Sequence, residues 1–130
     1  MRRTILPAIC GYALFLVLMV MTDVVAAAAI PALRSRTTRP PAGYLGFSLV
    51  TGLVYAAAGG RLCARVARER RSAATWALIV LGELIGLAST IASWKAGAHW
   101  YAVGLLVLFP FAVWLGARAD RRGAGQKLRA

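Results

Sequence analysis

Residues 44–71 read YLGFSLVTGLVYAAAGGRLCARVARERR, and this stretch decides the fold. Its first part, 44–63, is apolar or small at almost every position, whereas 61–71 holds five arginines. A helix needs about 20 apolar residues to cross the ~30 Å hydrocarbon core of a bilayer. Lys and Arg collect on the cytoplasmic side of a membrane. The stretch therefore predicts a transmembrane helix whose carboxyl-terminal end lies at the cytoplasmic surface.

Three further apolar blocks have a similar length. They cover residues 4–30, 73–94 and 100–117, and they bring the hydrophobic share of the chain to 60% and its mean hydropathy to +0.68. None alternates apolar and polar residues as a barrel strand would. We predict one all-α domain over 1–130, a transmembrane antiparallel four-helix bundle with both termini inside (N-in/C-in). Its expected parts are helices at about 4–30, 44–68, 73–94 and 100–118, and a basic cytoplasmic tail at 119–130.

The basic residues predict an orientation. The chain carries a net charge of +12, which in a soluble protein would suggest a nucleic-acid partner. Here twelve of the 16 Lys and Arg residues fall in 1–3, 61–71 and 118–129, on one side of the predicted crossings. The positive-inside rule then predicts a multi-pass protein of the bacterial cytoplasmic (inner) membrane, with both termini in the cytoplasm. We expect no nucleic-acid partner.

Glu83 lies at the middle of the third predicted helix. An ionised carboxylate there costs on the order of 3 kcal/mol to insert, so the side chain is expected to face protein or water. On a helical wheel it shares one arc with Gly82, Gly86 and Thr90. Two interpretations stay open: a proton or cation site, or a buried hydrogen-bonding group that fixes the packing of the helices.

Two further charged residues lie within predicted helices. Asp23, in the outer half of the first helix, belongs either to a structural polar cluster or to a gate at the mouth of a permeation path. Arg61, near the cytoplasmic end of the second helix, either pairs with Glu83 or extends to the inner lipid headgroups. With Glu83 and Thr90, these two residues are the intramembrane polar candidates.

Small residues recur at every fourth position of the second predicted helix, and two glycines follow in the third. Small side chains let helix backbones approach closely in lipid. The pattern predicts close packing within the chain or, alternatively, self-association of two copies. The residues concerned are Ser48, Gly52, Ala56, Gly60, Gly82 and Gly86.

The arginines of the cytoplasmic side are candidates for binding anionic lipid headgroups. Each attracts such lipids by about 1 kcal/mol near the surface, although the orientation of the helices alone also explains their position. The residues are Arg65, Arg68, Arg70, Arg71, Arg121 and Arg122. No set of side chains forms a nucleophile with its base, and two cysteines with one histidine give no metal-ligand spacing. We therefore expect no enzyme, no cofactor and no metal.

Two runs in the chain resemble a known group of proteins. They are GYLGFSLVTGLVYAAAGGRLCARVA (43–67) and WYAVGLLVLFPFAVWLGARA (100–119). They are similar to small, uncharacterised bacterial four-helix membrane proteins, which combine a Gly-Gly-x-x-x-Ala-Arg turn with a later Trp-Tyr pair and a late proline. The resemblance spans roughly residues 43–119. It implies a fold and a location, but no activity.

These observations predict a non-enzymatic integral membrane protein, an accessory or scaffold subunit of a larger membrane complex. Its expected partners are anionic lipids on the cytoplasmic side and other membrane chains or a second copy. The alternative is a small ion- or proton-coupled transporter that acts as a homodimer around Glu83. The two hypotheses differ in whether Glu83 must titrate.

Overall fold

The computed structural model describes residues 2–31, 41–96, 99–127 and 129, and almost all of them are helical. The helices form three long segments. The first is α1 (Arg2–Ala29), and the third is α4 (His99–Lys127), which follows a 3-10 helix at Trp94–Ala96. The middle segment consists of α2 (Ala42–Ala67), a 3-10 helix (Arg68–Arg70) and α3 (Arg71–Ala92).

Three helices are long and apolar enough to cross a membrane: Thr4–Ala29, Ala42–Ala92 and His99–Gly123. The prediction of an antiparallel four-helix bundle is therefore wrong, because the described residues supply three such helices and not four. The error lies at 69–72, where a break was expected. No Gly or Pro interrupts this stretch, and the 3-10 helix Arg68–Arg70 joins α2 directly to α3, so the two helices form one bent segment of 51 residues without a loop between them. The three helices make this a multi-pass membrane protein.

The middle segment changes direction at Arg68, which has a positive φ of 44°. The Arg71 side chain donates a hydrogen bond of 3.0 Å from Nε to the carbonyl oxygen of Arg68, and this contact supports the bend. Beyond it, α3 packs back along α2. A Cβ atom added to Gly11 of α1 would lie 3.1 Å from both Cys63 Cβ on α2 and Leu78 Cδ2 on α3.

The α2 helix contacts α4 at backbone distance. A Cβ atom added to Gly60 would collide with the main chain of Val113. At the other end of the two helices, the Ser48 and Tyr101 hydroxyls share a hydrogen bond of 3.1 Å. Since the residue numbers rise together along both helices, α2 and α4 run parallel to each other.

The residues predicted to pack helices line these contacts. Ser48, Gly52, Ala56 and Gly60 are all buried on α2. On α3, a Cβ atom on Gly82 would collide with the ring of Phe109 on α4, and Gly86 is half-buried near the same helix. The small residues thus line contacts within the chain: Ser48 and Gly60 contact α4, whereas Gly52 lies between α4 and α1.

Aromatic and aliphatic side chains complete the core. The rings of Phe15 and Phe109 pack edge to face, with 5.5 Å between their centroids, and Leu78 and Val113 are fully buried beside them. Many large aliphatic side chains instead lie on the outer surface, and Ile91 is 68% exposed. A soluble monomer rarely exposes so continuous an apolar surface, whereas a protein surrounded by lipid does.

Candidate functional site

A groove of about 420 Å³ lies between α1, α3 and α4, with one α2 residue at its edge. Most of its wall is apolar. Tyr12 of α1 contributes one hydroxyl group, and α3 with its C-cap and α4 contribute a carboxyl group and four further hydroxyl groups. The polar residues of α3, its C-cap and α4 are Glu83, Ser89, Thr90, Ser93 and Tyr101. Because three of these five residues lie on α3 and Ser93 is its C-cap, most polar groups of the otherwise apolar groove belong to one helix.

Glu83 is half-buried in this groove, and its Oε1 atom is buried without a hydrogen-bond partner among the described residues. The nearby hydroxyls are engaged within α3. Thr90 donates to the carbonyl oxygen of Gly86 at 2.8 Å, and Ser93 donates to that of Ser89 at 2.7 Å. A buried acceptor left unsatisfied costs about 1–3 kcal/mol. A partner for Oε1 from outside the described residues would remove this cost.

The groove is open along one side. Gly82 lets the Phe109 ring approach α3, and the edge-to-face rings of Phe15 and Phe109 line the groove together with Glu83. Along the rim, Ile85 and Ser89 are exposed, so the groove opens onto the outer surface of the protein. A group from outside the chain would therefore enter the groove from this exposed surface.

Arg61 and Glu83 are not brought together. The Arg61 side chain is 51% exposed, and its Nε atom lies 3.8 Å from Asp120 Oδ1. Among the described residues, the structure pairs Arg61 with Asp120 rather than with Glu83. The helical position of Arg61 directs it toward α4 instead.

Asp120 was missed by the sequence analysis, which placed it in a basic tail. In the structure α4 continues through 119–127, and Asp120 is only 8% exposed. Its Oδ1 atom accepts a 2.8 Å hydrogen bond from Arg65 Nε, and its Oδ2 atom lies 3.6 Å from Arg71 Nη1. The available signal was a single acidic residue within the basic run ARADRR at 117–122.

The polar residues at the opposite end of the protein join α1 to α2. The Tyr44 hydroxyl donates to Asp23 Oδ1 at 3.0 Å, in an exposed contact. The Thr22 and Tyr55 hydroxyls share a part-buried hydrogen bond of 2.6 Å. These contacts favour the interpretation of Asp23 as part of a structural polar cluster over its interpretation as a gate of a permeation path.

The predicted lipid-binding arginines separate into two groups. Arg71, Arg121 and Arg122 line one cleft between α3 and α4. Arg65 contacts Asp120 instead, and Arg68 and Arg70 are exposed on the 3-10 helix.

Within the described ranges, no three His, Cys, Asp or Glu side chains are grouped so that they could hold a metal ion. No protein-family model, curated protein or solved structure matches this chain. The site must therefore be interpreted from its own geometry.

Proposed function

We propose that this protein is a non-enzymatic accessory or scaffold subunit of a larger membrane assembly. One observation carries the proposal: Glu83 Oε1 is buried, lacks a hydrogen-bond partner among the described residues, and lies in a groove whose rim residues Ile85 and Ser89 are exposed. A transmembrane helix of another chain that carries a hydrogen-bond donor would fill the groove and satisfy this oxygen. Hydrogen bonds between helices in lipid contribute roughly 0.6–2 kcal/mol each, which is enough to select one docking position.

The rest of the chain supplies a rigid support for such a partner. The α2 helix packs against α1 and α4 with main chains in direct contact. Its Gly59 meets the main chain of Gly11 on α1, and its Gly60 meets the main chain of Val113 on α4. The other polar groups in the described helices are largely paired within the chain, as in Thr22 with Tyr55. This leaves Glu83 as the group that most needs an external partner.

The proposal includes a location and an orientation. The protein belongs to the bacterial cytoplasmic membrane, as do the small membrane proteins that its sequence resembles, and its arginine-rich end faces the cytoplasm. Arg65 on α2, Arg71 on α3 and Asp120 on α4 meet at this end, and Gly11 near the start of α1 packs against Cys63 a short distance away. Both termini are then expected on the cytoplasmic side, because Gly11 near the start of α1 and Asp120 near the end of α4 both lie at this end of the protein.

The test is the native mass of the protein extracted in mild detergent or lipid discs, for the wild type and two variants. The wild type should appear in a larger assembly of fixed stoichiometry. Glu83→Gln retains an acceptor oxygen and should preserve the assembly, whereas Glu83→Leu should dissociate it. Leu84→Ala, at the adjacent lipid-exposed position, is the matched control and should have no effect. A monomer in every sample would contradict the proposal.

A second candidate function is a small ion- or proton-coupled transporter that acts as a homodimer around Glu83. It is favoured by the hydroxyl groups that extend from Glu83 to Ser93 and Tyr101 along one side of the groove. Transport requires a titrating carboxyl group, so Glu83→Gln should abolish coupled flux in vesicles. Unchanged proton-coupled flux in that variant would exclude this function.

A further inference from the structure

A basic cleft of about 500 Å³ lies between α3 and α4 at the arginine-rich end of the protein. We call it the basic cleft and define it by four arginines and two tryptophans. These residues are Arg71, Arg118, Arg121, Arg122, Trp76 and Trp114. It lies apart from the Glu83 groove, with no lining residue in common, and its interpretation does not depend on the proposed function.

The positive charge of the basic cleft is largely uncompensated. None of the described residues that line it is acidic. The carboxylate of Asp120 lies 3.6 Å from Arg71 of the cleft. Its closest contact, however, is Arg65 of α2, which lies outside the cleft. Arg118 lies over the Trp114 ring, 4.8 Å from its centroid, and a cation–π contact leaves its full charge in place. The cleft therefore presents the guanidinium groups of Arg118, Arg121 and Arg122, which have no carboxylate partner among the described residues, together with part of the charge of Arg71.

The two tryptophans indicate the depth of the cleft in the membrane. Trp76 is 62% exposed and Trp114 is 45% exposed, and both line the cleft. Tryptophan rings prefer the headgroup region, where one side is apolar and the other is wet. Ile79 and Ala117 extend the wall of the cleft with apolar surface. The arginines thus lie at the level of lipid phosphates, with room for the start of an acyl chain beside them.

The geometry points to a binding site for an anionic phospholipid headgroup that carries two phosphates. Guanidinium groups bind phosphate oxygens in bidentate pairs, so three free arginines match two phosphodiester groups better than one. A zwitterionic headgroup brings its own cation and would leave the arginines uncompensated. Hydroxyl groups of Ser72 and Thr75 line the cleft as well; that of Thr75 donates to the Arg71 carbonyl, which leaves Ser72 as a further donor. Basic pockets between transmembrane helices on the cytoplasmic side bind such headgroups in other membrane proteins.

This site differs from a general attraction of the basic surface to anionic lipid. It includes Arg118, which the sequence did not single out, and it excludes Arg68 and Arg70, which lie on the 3-10 helix. Two pairs of arginines with equal charge at the same end of the protein therefore separate the two explanations. Arg121 and Arg122 belong to the site, whereas Arg68 and Arg70 do not.

The test is native mass spectrometry of the full chain in phosphatidylcholine discs that contain cardiolipin, phosphatidylglycerol or neither lipid. The wild type should retain one cardiolipin at a fixed ratio and should retain phosphatidylglycerol more weakly. The double variant Arg121→Gln/Arg122→Gln should lose cardiolipin affinity by about tenfold or more. The double variant Arg68→Gln/Arg70→Gln, with the same loss of charge, should stay within roughly twofold of the wild type.

Several outcomes would overturn the inference. Equal losses in the two double variants would mean that only the net charge of the surface matters. Equal retention of the two anionic lipids would remove the requirement for two phosphates. Displacement of cardiolipin by inorganic phosphate would assign the cleft to a soluble anion. If the cleft double variant fails to insert, the single variant Arg122→Gln, paired with Arg70→Gln, provides the same comparison.

Discussion

The Nε atom of Arg65 on α2 lies 2.8 Å from Oδ1 of Asp120 on α4, although 55 residues separate them in the chain. Arg61 and Arg71 approach the same carboxylate, at 3.8 Å and 3.6 Å. One buried carboxylate thus connects α2, the start of α3 and α4. It also offsets part of the charge where the middle segment bends at Arg68.

Replacing Asp120 by Asn should destabilise the protein by about 1–2 kcal/mol, because the arginines lose their common counter-charge. The effect is limited because the Arg65 side chain is 58% exposed and solvent screens the interaction. Unfolding by a denaturing detergent, followed by circular dichroism, measures the change. Glu69→Gln removes an exposed carboxylate from the adjacent 3-10 helix and should change stability much less. Equal effects of the two variants would refute this role for Asp120.

Replacing Gly60 by Ala should destabilise the protein by about 1–3 kcal/mol, because the added methyl group would collide with the Val113 main chain. Gly46→Ala is the matched control on the same helix. Nothing lies within 4 Å of a Cβ atom at that position, so this variant should be neutral or slightly stabilising. The measurement is the same unfolding assay. A Gly60→Ala protein as stable as the control would mean that α2 and α4 do not approach at backbone distance.

Replacing Tyr55 by Phe should cost about 0.5–1.5 kcal/mol, because Thr22 loses a part-buried hydrogen bond of 2.6 Å. Replacing Tyr44 by Phe also removes one hydroxyl, but its bond to Asp23 is exposed and its loss should have little effect. Thermal unfolding of both variants in the same lipid discs gives the comparison. A larger loss of stability in Tyr44→Phe than in Tyr55→Phe would contradict the claim that the part-buried hydrogen bond contributes more than the exposed one.

The sequence predicts the membrane class and the identity of the packing residues for clear physical reasons. Apolar blocks of about 20 residues match the thickness of a bilayer whatever their neighbours are. The small residues on α2 mark a close contact, since only small side chains permit one. The periodicity of Gly52 and Gly60 does not reveal which helix they contact, however. In the structure Gly60 lies against Val113 of α4, and Gly52 lies between Leu105 of α4 and Met19 of α1.

Other features depend on contacts between distant parts of the chain. A dense run of arginines at 61–71 indicates a membrane surface, but not whether the backbone stays helical there. The Arg71 side chain donates a hydrogen bond to the Arg68 carbonyl at the bend. Asp120 on α4 contacts Arg65 of α2 and Arg71 of α3. Local sequence carries little information about such contacts. For this reason the helix count was predicted wrongly, and the contact between Arg61 and Asp120 was not predicted.

The proposed function requires a partner chain in the Glu83 groove. A photoreactive residue at Ser89, on the exposed rim of the groove, would report that partner directly. The control position is Ile91, which is 68% exposed on α3 but does not line the groove. In each position the crosslink is formed in native membranes, and the attached chain is identified by mass spectrometry.

The proposal predicts that Ser89 crosslinks to one other membrane chain at fixed stoichiometry, while Ile91 crosslinks only to lipid. Adding Glu83→Leu should remove the Ser89 crosslink, and adding Glu83→Gln should preserve it. A crosslink to a second copy of this chain would favour the homodimeric transporter instead. Lipid adducts alone at Ser89, or equal protein adducts at both positions, would contradict the claim that the groove binds a partner chain.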